Sequence, residues 1–340
     1  MKKLKAEKVS RDRAGFVRHC FALARGLGSN VGHYIFQWVA IAGVVACVAT
    51  LFGLMGRFNW LLDLFSHFRL QYIAVLLVAD LAFLLRRRWR TAGIFSVFIF
   101  VNLGVVLPLY FGGTASSPEN TQSLRAMLSN VNTHGGDPLK LEQLIREVDP
   151  DILVLEEVSS KWIVALASLT NAYPHSYICA QGDNFGIALY SRFPIQSKEI
   201  VYMSEAMVPS IIAVIDVGRG GFRVIATHPL PPAGSGYSRM RNEQLEKLAD
   251  CVDSSMPLII LGDLNTTPWN YYFRRLLRHS GLHDSTQGYG VQPTWPSCFW
   301  PLLIPLDHCL HSSDVFIENR QTGANIGSDH YPLIIDFSIL

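Results

Sequence analysis

Three long apolar stretches near the N-terminus constrain how this chain can fold more than any other feature. They cover residues 34–55, 68–85 and 92–111. An α-helix needs about 20 apolar residues to cross the hydrocarbon core of a bilayer. The first and third stretches reach that length, whereas the second is short and needs its flanking side chains to reach across. We therefore predict an N-terminal region of three transmembrane helices.

The second stretch contains a carboxylate, Asp80. A charged group in the middle of a bilayer costs about 2.5–3.5 kcal/mol on insertion scales. We interpret Asp80 as neutral or paired inside the helix bundle, and a proton or ion role is the alternative. A transporter built from these helices has little support, because three spans are few for a transport path unless the protein oligomerises.

Lysine and arginine residues flank the apolar stretches unevenly, which predicts the orientation in the membrane. Positive residues stay on the cytoplasmic side of short loops. A basic cytoplasmic leader and three spans place the C-terminal part on the periplasmic or extracellular side of the cell (inner) membrane. A cleaved signal peptide is the alternative, but the leader stays basic up to Arg25 and no small-residue cleavage site follows cleanly. The basic residues are Lys2, Lys3, Lys5, Lys8, Arg11, Arg13, Arg18 and Arg25 before the first stretch, Arg57 and Arg69 around the first loop, and Arg86, Arg87, Arg88 and Arg90 before the third stretch.

The composition changes after about residue 113. The chain has 340 residues, of which 49% are hydrophobic and 16% charged, and the apolar excess lies before this point. We predict a membrane anchor over residues 1–112, a polar linker over 113–124 and a globular domain over 125–340. The net charge of +2 does not define a basic surface for nucleic acid.

The six cysteines match no zinc-binding spacing. Four of them lie in the domain predicted to be exported, where a disulfide is permitted. Cys298 and Cys309 are the closest pair in sequence, and free buried thiols are the alternative.

Short β-rich runs alternate with helical segments from residue 124 onward. Asp137 predicts a helix N-cap with Pro138 in the first turn, and residues 238–251 predict a second helix. Hydrophobic strands with only a few helices among them favour a mixed-sheet α+β domain over a strictly alternating parallel fold. The predicted strands are 126–131, 151–155, 187–190, 211–217, 222–226 and 258–261.

Polar motifs stand at the ends of these predicted strands, where several strands can converge on one pocket. In chain order they are Leu128-Ser129-Asn130-Val131-Asn132, Leu155-Glu156-Glu157-Val158, Thr227-His228-Pro229, Gly262-Asp263-Leu264-Asn265, Leu306-Asp307-His308 and Gly327-Ser328-Asp329-His330. Each motif alone is weak evidence, but their joint occurrence in this order is specific. The region from residue 125 to 340 resembles the endonuclease/exonuclease/phosphatase superfamily, the deoxyribonuclease I-like proteins, as a bacterial-type membrane-anchored member.

The resemblance implies a two-sheet β-sandwich core flanked by helices and a divalent-metal-dependent phosphoesterase. Magnesium, or manganese, takes one or two carboxylates and keeps water and substrate oxygens as its other ligands. The resemblance assigns metal binding to Glu157, Asn130 and Asp329. Glu156 replaces the glutamine usual in the family, and strand alternation predicts that it points away from Glu157.

The same resemblance assigns the catalytic groups. Asp263 orients or activates the attacking water, and Asp307 pairs with His330, which acts as a general acid or base or stabilises the phosphoryl group. His228 and Asn265 contact the substrate phosphate, and Asp329 assists the metal or the water. The catalytic set is therefore His330, Asp263, His228, Asp307, Asp329 and Asn265.

Other polar residues near the motifs have less definite roles. Asn132 is a metal ligand or a structural residue, and His308 is expected to point away from the site. Arg241 and Gln244 lie one helical turn apart and are expected to make structural bonds. Trp295 either packs or stacks on a base or lipid head group.

The sequence thus predicts a membrane-anchored hydrolase of phosphodiesters or phosphomonoesters. Its phosphoester substrate is a nucleic acid or a phospholipid-like molecule, and a lipid bilayer is its partner through the N-terminal helices. A non-catalytic membrane scaffold with a degenerate enzyme fold is the alternative.

Overall fold

A computed structural model describes residues 32–113, 122–218, 220–253 and 255–339. The predicted basic leader, and most of the predicted linker, lie outside these residues. The described chain divides into two compact units. The first consists of the residues up to Val48 and of Tyr72–Phe100, and the second consists of Ala49–Gln71 and the residues from Val101 onward. The helices are α1 (Gly32–Leu54), α2 (Trp60–Leu64), α3 (Arg69–Leu85), α4 (Trp89–Val106), α5 (Pro138–Val148), α6 (Ser160–Ala165), α7 (Leu169–Ala172), α8 (Ser235–Asp250) and α9 (Tyr271–Ser280).

The first unit consists of apolar helical segments. Two helices in the described residues, Gly32–Leu54 and Trp89–Tyr110, are long and apolar enough to cross a membrane by length and composition. The second predicted span does not reach that length, because α3 has only 17 residues, about 26 Å of helix against a hydrocarbon core of about 30 Å. Within the unit, the Ser96 hydroxyl donates a 3.2 Å hydrogen bond to Asp80 Oδ1. Asp80 therefore has a polar partner inside the helical unit.

The second unit contains two six-stranded sheets. The first sheet has the order β11-β12-β1-β2-β4-β3 and the second the order β5-β6-β7-β8-β10-β9. Each sheet has one parallel pair, β1 with β2 and β7 with β8, and its other pairs are antiparallel. The strands are β1 (Ser123–Asn130), β2 (Ile152–Glu156), β3 (His175–Cys179), β4 (Ile187–Ser191), β5 (Ile195–Tyr202), β6 (Pro209–Asp216), β7 (Gly221–Thr227), β8 (Leu258–Asp263), β9 (His283–Asp284), β10 (Asp307–His311), β11 (Val315–Thr322) and β12 (Leu333–Ile339).

Alternating side chains of the central strands build the core between the sheets. In β1, Leu124, Ala126 and Leu128 belong to this central cluster, which also contains residues of the second sheet such as Val224 and Ile259. Met127 of β1 belongs to a separate cluster on the other face of its sheet, where it joins residues of α5 and α6. A third cluster packs α8 and α9 on the outer face of the second sheet. The predicted two-sheet sandwich with flanking helices is thus confirmed.

Local sequence signals explain why α5 forms where it does. The Asp137 side chain accepts hydrogen bonds from the backbone N–H groups of Leu139 and Lys140, and Pro138 occupies the first turn. Both features favour a helix start. Leu141, Leu144 and Ile145 lie on the buried face, as their spacing predicts.

Candidate active site

The two parallel strand pairs bring their carboxyl ends to one edge of the sandwich. Glu156 ends β2, Thr227 ends β7 and Asp263 ends β8. β10 begins at this edge with Asp307, which lies directly opposite Asp263 in the antiparallel register. The loop before β12 brings Asp329 and His330 to the same place, where they line one pocket with Asp263. The order of strands in the sheets therefore assembles residues that are far apart in sequence.

Four of these side chains form a buried chain of alternating carboxylates and imidazoles. Asp307 Oδ2 lies 2.8 Å from His330 Nδ1. His330 Nε2 lies 3.5 Å from Asp263 Oδ2, and His228 Nε2 lies 3.5 Å from that same oxygen. Asp263 is thus held between two imidazole rings, and Asp307 supports one of them from behind.

The carboxylates change the proton affinity of both rings. Burial disfavours the charged form of His330, but Asp307 and Asp263 outweigh this and raise its pKa to about 10. Burial also disfavours the charged form of His228, but the neighbouring carboxyl groups of Glu156 and Asp263 raise its pKa to about 9. Although burial opposes the charged form of Asp263, the two rings lower its pKa. At neutral pH these four side chains therefore include two imidazolium rings, one on each side of an ionised Asp263.

Glu157 stands just beyond β2 in a left-handed backbone conformation, with a φ of 60°. Its Oε1 accepts a 3.0 Å hydrogen bond from the Asn130 amide, and its Oε2 accepts one from the Thr133 backbone N–H at 3.2 Å. The Asn130 carbonyl oxygen of the main chain accepts a bond from the Ser328 hydroxyl. These contacts fix the Glu157 carboxylate at the wall of the pocket.

Asp329 has a donor on each carboxylate oxygen. The Asn132 amide donates to Oδ1 at 2.7 Å, and the Trp295 indole N–H donates to Oδ2 at 3.1 Å. Trp295 thus orients a carboxylate, in addition to lining the pocket.

The Gly262-Asp263-Leu264-Asn265 turn is stabilised by its own side chains. The backbone N–H of Asn265 donates to Asp263 Oδ1 at 2.9 Å, and the Asn265 amide donates to the Pro229 carbonyl at 2.9 Å. Asn265 has a φ of 48°, a left-handed conformation that asparagine tolerates better than most residues. The turn presents Asp263 and Asn265 to the pocket together.

The oxygen donors at this edge suit a hard divalent cation. No group of three or more His, Cys, Asp or Glu side chains arranged for a metal occurs among the residues that the structure describes. Magnesium does not need such a group, because it binds through one or two carboxylates and retains several waters. Glu157 and Asp329 provide two carboxylates on the pocket wall, each with lone pairs left after its hydrogen bonds. Asn130 contributes mainly by orienting Glu157.

Glu156 points in a different direction from Glu157. It is fully buried, and both of its oxygens accept from the Asp263 backbone N–H, at 3.2 and 3.1 Å. It therefore connects the end of β2 in one sheet to the end of β8 in the other. Burial raises its pKa well above the usual range, although His228 opposes the shift.

Three predicted structural residues lie behind the pocket. Arg241 is fully buried, and its guanidinium donates to the Asn265 carbonyl at 3.1 Å. Gln244 donates to the Thr227 hydroxyl at 3.0 Å, just before His228. His308 lies 2.8 Å from the Thr266 carbonyl and packs against Phe273. Cys298 and Cys309 are both free thiols.

The pocket also has a wall that the motifs did not indicate. Leu64 at the end of α2, and His67 and Phe68 just before α3, line it together with Phe185. The pocket has a volume of about 340 Å³. The sequence signal for this wall is a group of polar residues, among them Asn59, Asp63 and His67, between two apolar stretches.

Solved structures share this fold at low sequence identity. An endonuclease/exonuclease/phosphatase from Beutenbergia cavernae DSM 12333 is similar with a TM-score of 0.54 and 20% identity, over 64% of this chain and 72% of that one. TDP2 from D. rerio, complexed with a single-strand DNA product, gives a TM-score of 0.54 and 16% identity, over 64% and 99%. The human Nocturnin catalytic domain with a bound sulfate anion gives 0.50 and 20%, over 64% and 95%.

No curated protein matches the chain in sequence. The model of the Endonuclease/Exonuclease/phosphatase family, however, matches residues 127–330. That stretch is more than half of the chain and runs from the second half of β1 to His330. The chain therefore belongs to the Endonuclease/Exonuclease/phosphatase family.

Proposed function

We propose that this chain hydrolyses phosphoester bonds with the help of a divalent cation. The observation that carries the proposal is the row of three contacting side chains at the wall of the pocket. Asp307 lies 2.8 Å from His330, and His330 lies 3.5 Å from Asp263. Phosphoester hydrolysis needs positive charge near the phosphoryl oxygens and a water held in line with the leaving group. The side chains around the pocket can supply both.

The two histidines supply positive charge. With a pKa of about 10, His330 is protonated at neutral pH, so it acts as a hydrogen-bond donor and a source of a proton. His228, with a pKa of about 9, is charged as well. The Asn265 amide has a second N–H beside the one that bonds Pro229, and this hydrogen is free to contact a phosphoryl oxygen.

Asp263 orients the attacking water. Its lowered pKa keeps it ionised, so it accepts a hydrogen bond from the water and takes its proton as the new oxygen–phosphorus bond forms. The bond from phosphorus to the leaving oxygen breaks in the same displacement. Asp307 holds the His330 ring in the orientation that this step needs.

A magnesium or manganese ion suits Glu157 and Asp329, with Asn130 orienting Glu157 through its amide. When bound, such an ion withdraws charge from the phosphoryl and leaving oxygens. The Asn132 and Trp295 contacts to Asp329 keep that carboxylate aimed at the pocket.

The N-terminal helices support attachment to a membrane. The most apolar window of α1 is only 28% buried and that of Trp89–Tyr110 only 33%, whereas a helix in a soluble core is mostly covered. We propose that these helices hold the chain in the cell membrane and that α3 completes a multi-pass anchor. Export of the catalytic part follows from the basic flanks, and a C-terminal alkaline-phosphatase fusion that is inactive would contradict it.

Turnover of bis-p-nitrophenyl phosphate by the full chain in detergent tests the proposed chemistry. We expect activity with Mg²⁺ or Mn²⁺, loss of activity in EDTA, and a drop of about 10²- to 10⁴-fold in Asp263→Asn. Asp253→Asn is the matched control, because Asp253 is exposed and lies on a loop before β8. A parent that shows no metal-dependent turnover here, nor on DNA, RNA or phospholipid, would favour the non-catalytic scaffold.

The substrate class needs a separate comparison. One structural neighbour, TDP2 from D. rerio, is complexed with a single-strand DNA product, so a nuclease activity is one candidate. A phospholipid-like substrate is the other, and membrane attachment favours it. The proposed chemistry is the same for both.

A further inference from the structure

The segment before α3 completes the active-site pocket. Leu64, His67 and Phe68 line it together with the catalytic groups, although they lie about 60 residues before the part of the chain that the family model matches. A pocket of about 340 Å³ is large enough for one phosphate with a small organic group on it. This segment therefore contributes a wall that the family fold alone does not provide.

A buried ion pair fixes this segment to the catalytic turn. Asp63 Oδ2 accepts a 2.6 Å hydrogen bond from the Arg241 guanidinium, and both side chains are almost fully buried. The same guanidinium donates to the Asn265 carbonyl. Asp63 Oδ1 accepts from the Asn270 amide at 2.6 Å, and that amide also donates to Ser66. The wall and the turn that carries Asp263 are thus parts of one hydrogen-bonded structure.

Among the described residues, only one of the two ring nitrogens of His67 has a hydrogen-bond partner. Its Nδ1 lies 3.1 Å from the Thr267 hydroxyl, two residues beyond Asn265. Its Nε2 is buried and has no hydrogen-bond partner in the part of the chain that the structure describes. Only 5% of the residue is exposed. Buried polar atoms are nearly always hydrogen-bonded, and each exception calls for an explanation, such as a bound group that is absent.

The side chains around the pocket favour one phosphate beside an apolar group. None of the described residues that line it is Lys or Arg, whereas proteins that bind single-stranded nucleic acid track its backbone with a positively charged groove. The basic side chains at the catalytic end are the imidazoles of His228 and His330, each 3.5 Å from Asp263 Oδ2. The apolar lining includes Leu64, Phe68, Phe185, Trp295, Ile304 and Leu306.

The residues of this wall are close in sequence to the proposed membrane helices. Phe68 directly precedes Arg69, the first residue of α3, and Leu64 follows the end of α1 by ten residues. A substrate that reaches the pocket beside these residues is therefore expected to come from the bilayer surface.

We propose that Leu64, His67 and Phe68 form a subsite for a membrane-borne phosphoester, in which His67 Nε2 hydrogen-bonds a substrate oxygen and the two apolar side chains contact its apolar group. The proposal rests on the phosphoester hydrolysis proposed above. Residues 64–68 thus determine which substrate binds, although they lie outside the stretch that the family model matches.

Two small diesters that differ only in their apolar arm test the apolar part. In methyl and butyl p-nitrophenyl phosphate, water adds to phosphorus and p-nitrophenolate leaves in both cases. Each buried methylene contributes about fourfold, so we expect the full chain to have a kcat/KM at least tenfold higher for the butyl ester. Phe68→Ala should lower kcat/KM for the butyl ester more than for the methyl ester, and so remove most of that preference.

Phe58→Ala is the matched control for this measurement. Phe58 lies just before α2, is 65% exposed and does not line the pocket, so its removal should preserve the preference. Hydrolysis of both esters without a preference would overturn the subsite and leave the proposed function standing. Calorimetric binding of butyl and methyl phosphate gives a readout that does not depend on turnover, so tighter binding of butyl phosphate without hydrolysis would uphold the subsite alone.

Two conservative variants test His67. In His67→Gln the amide reaches about as far as Nε2, whereas in His67→Asn it reaches only about as far as Nδ1 and retains the Thr267 contact. We expect a loss in kcat/KM of about tenfold for the butyl ester in His67→Asn and a smaller loss in His67→Gln. The reverse order, or two variants equal to the parent, would show that His67 serves only to pack against Thr267.

A final comparison addresses the class of substrate. The full chain in nanodiscs is supplied with vesicles of phosphatidylglycerol or with a single-stranded oligonucleotide, and phosphoester cleavage is measured in each. We expect cleavage of the lipid, reduced at least fivefold by Phe68→Ala. Cleavage of the oligonucleotide alone, unaffected by this variant, would overturn the proposal.

Discussion

Asp307 determines how His330 titrates, because it lies 2.8 Å from the ring on the side away from Asp263. The proposed reaction needs His330 protonated, so activity should persist up to its pKa of about 10 and fall above it. In Asp307→Asn the negative charge is lost, and the His330 pKa falls. We expect the alkaline limb of kcat/KM to move at least one pH unit lower, as measured by a pH–rate profile in the full chain.

The exposed Asp253 offers the comparison for this variant. Asp253→Asn removes a carboxylate of the same type without touching either ring, so its pH profile should match that of the parent. A profile for Asp307→Asn that keeps its alkaline limb, with only a lower maximum, would mean that Asp307 positions His330 without setting its charge.

His67 is expected to make stability depend on pH. Burial lowers its pKa from the usual 6.5 to about 4, although Asp63 opposes the shift. Between these values the unfolded chain binds a proton that the folded chain does not, so the free energy of unfolding falls as pH falls from 6.5 to 4. At pH 5 the loss is about 2 kcal/mol relative to pH 7.

Thermal unfolding of the full chain at pH 7 and pH 5 measures this effect. His67→Gln should lose less stability than the parent over that interval, whereas His279→Gln, at an exposed histidine of α9, should behave as the parent does. Equal losses in the parent and in His67→Gln would contradict a neutral, buried His67.

At the scale of a single strand, Gly262 controls how closely β8 approaches β7. A Cβ atom added at Gly262 would lie 2.0 Å from the Thr227 carbonyl oxygen, a backbone atom that cannot rotate away. Gly262→Ala should therefore push the strands apart beside Asp263 and destabilise the fold by about 1–3 kcal/mol, as overpacking usually does. Turnover should fall by more than the loss of folded protein explains, because Asp263 moves.

Gly236 is the matched position for this substitution. It lies in α8 with nothing within 4 Å of an added Cβ, and replacing a helical glycine by alanine stabilises by about 0.5–1 kcal/mol. Denaturant unfolding of both variants, with turnover measured in parallel, separates the two effects. A Gly262→Ala protein as stable and active as the parent would mean that this close approach does not matter.

The elements of the sandwich follow from sequence because their signals are local. Short apolar runs predict β1 and β2, and Asp137 with Pro138 predicts the start of α5. The polar residues at strand ends also pointed to one shared edge. The left-handed backbone of Glu157, by contrast, depends on Asn130 and Thr133, which lie more than 20 residues away in sequence.

The short helix α2 shows why part of the pocket was not predicted. It has five residues, too few for a periodic pattern, and its position depends on Arg241, which lies 178 residues later. The apolar stretch predicted over residues 68–85, by contrast, agrees within one residue with α3. Local patterns therefore identified the sheets and the motif residues but not the wall formed by Leu64, His67 and Phe68.

At the scale of the whole molecule, the compact unit that contains the two sheets also includes residues 49–71 and 101–113. The Leu109 carbonyl accepts from the backbone N–H groups of Gly288 and Gly290, both at 3.0 Å. The Gln71 amide donates to the carbonyls of Pro301 and Leu303, next to Ile304 in the pocket. The sheets are thus stabilised by segments that flank the apolar helices in sequence.

These contacts lead to a prediction about a fragment of residues 122–340. The fragment lacks Asp63, the carboxylate partner of the buried Arg241, and also the contacts of Gln71 and Leu109. When Arg241 stays buried, as in Asp63→Asn of the full chain, losing this partner costs about 3–5 kcal/mol. We expect the fragment to unfold at a clearly lower denaturant concentration than the full chain in detergent. Asp63→Asn in the full chain should reproduce much of the loss, whereas Asp250→Asn, at a carboxylate 65% exposed, should not. A fragment that unfolds with the same midpoint and hydrolyses butyl p-nitrophenyl phosphate as well as the full chain would show that the N-terminal segment contributes neither stability nor a wall to the site.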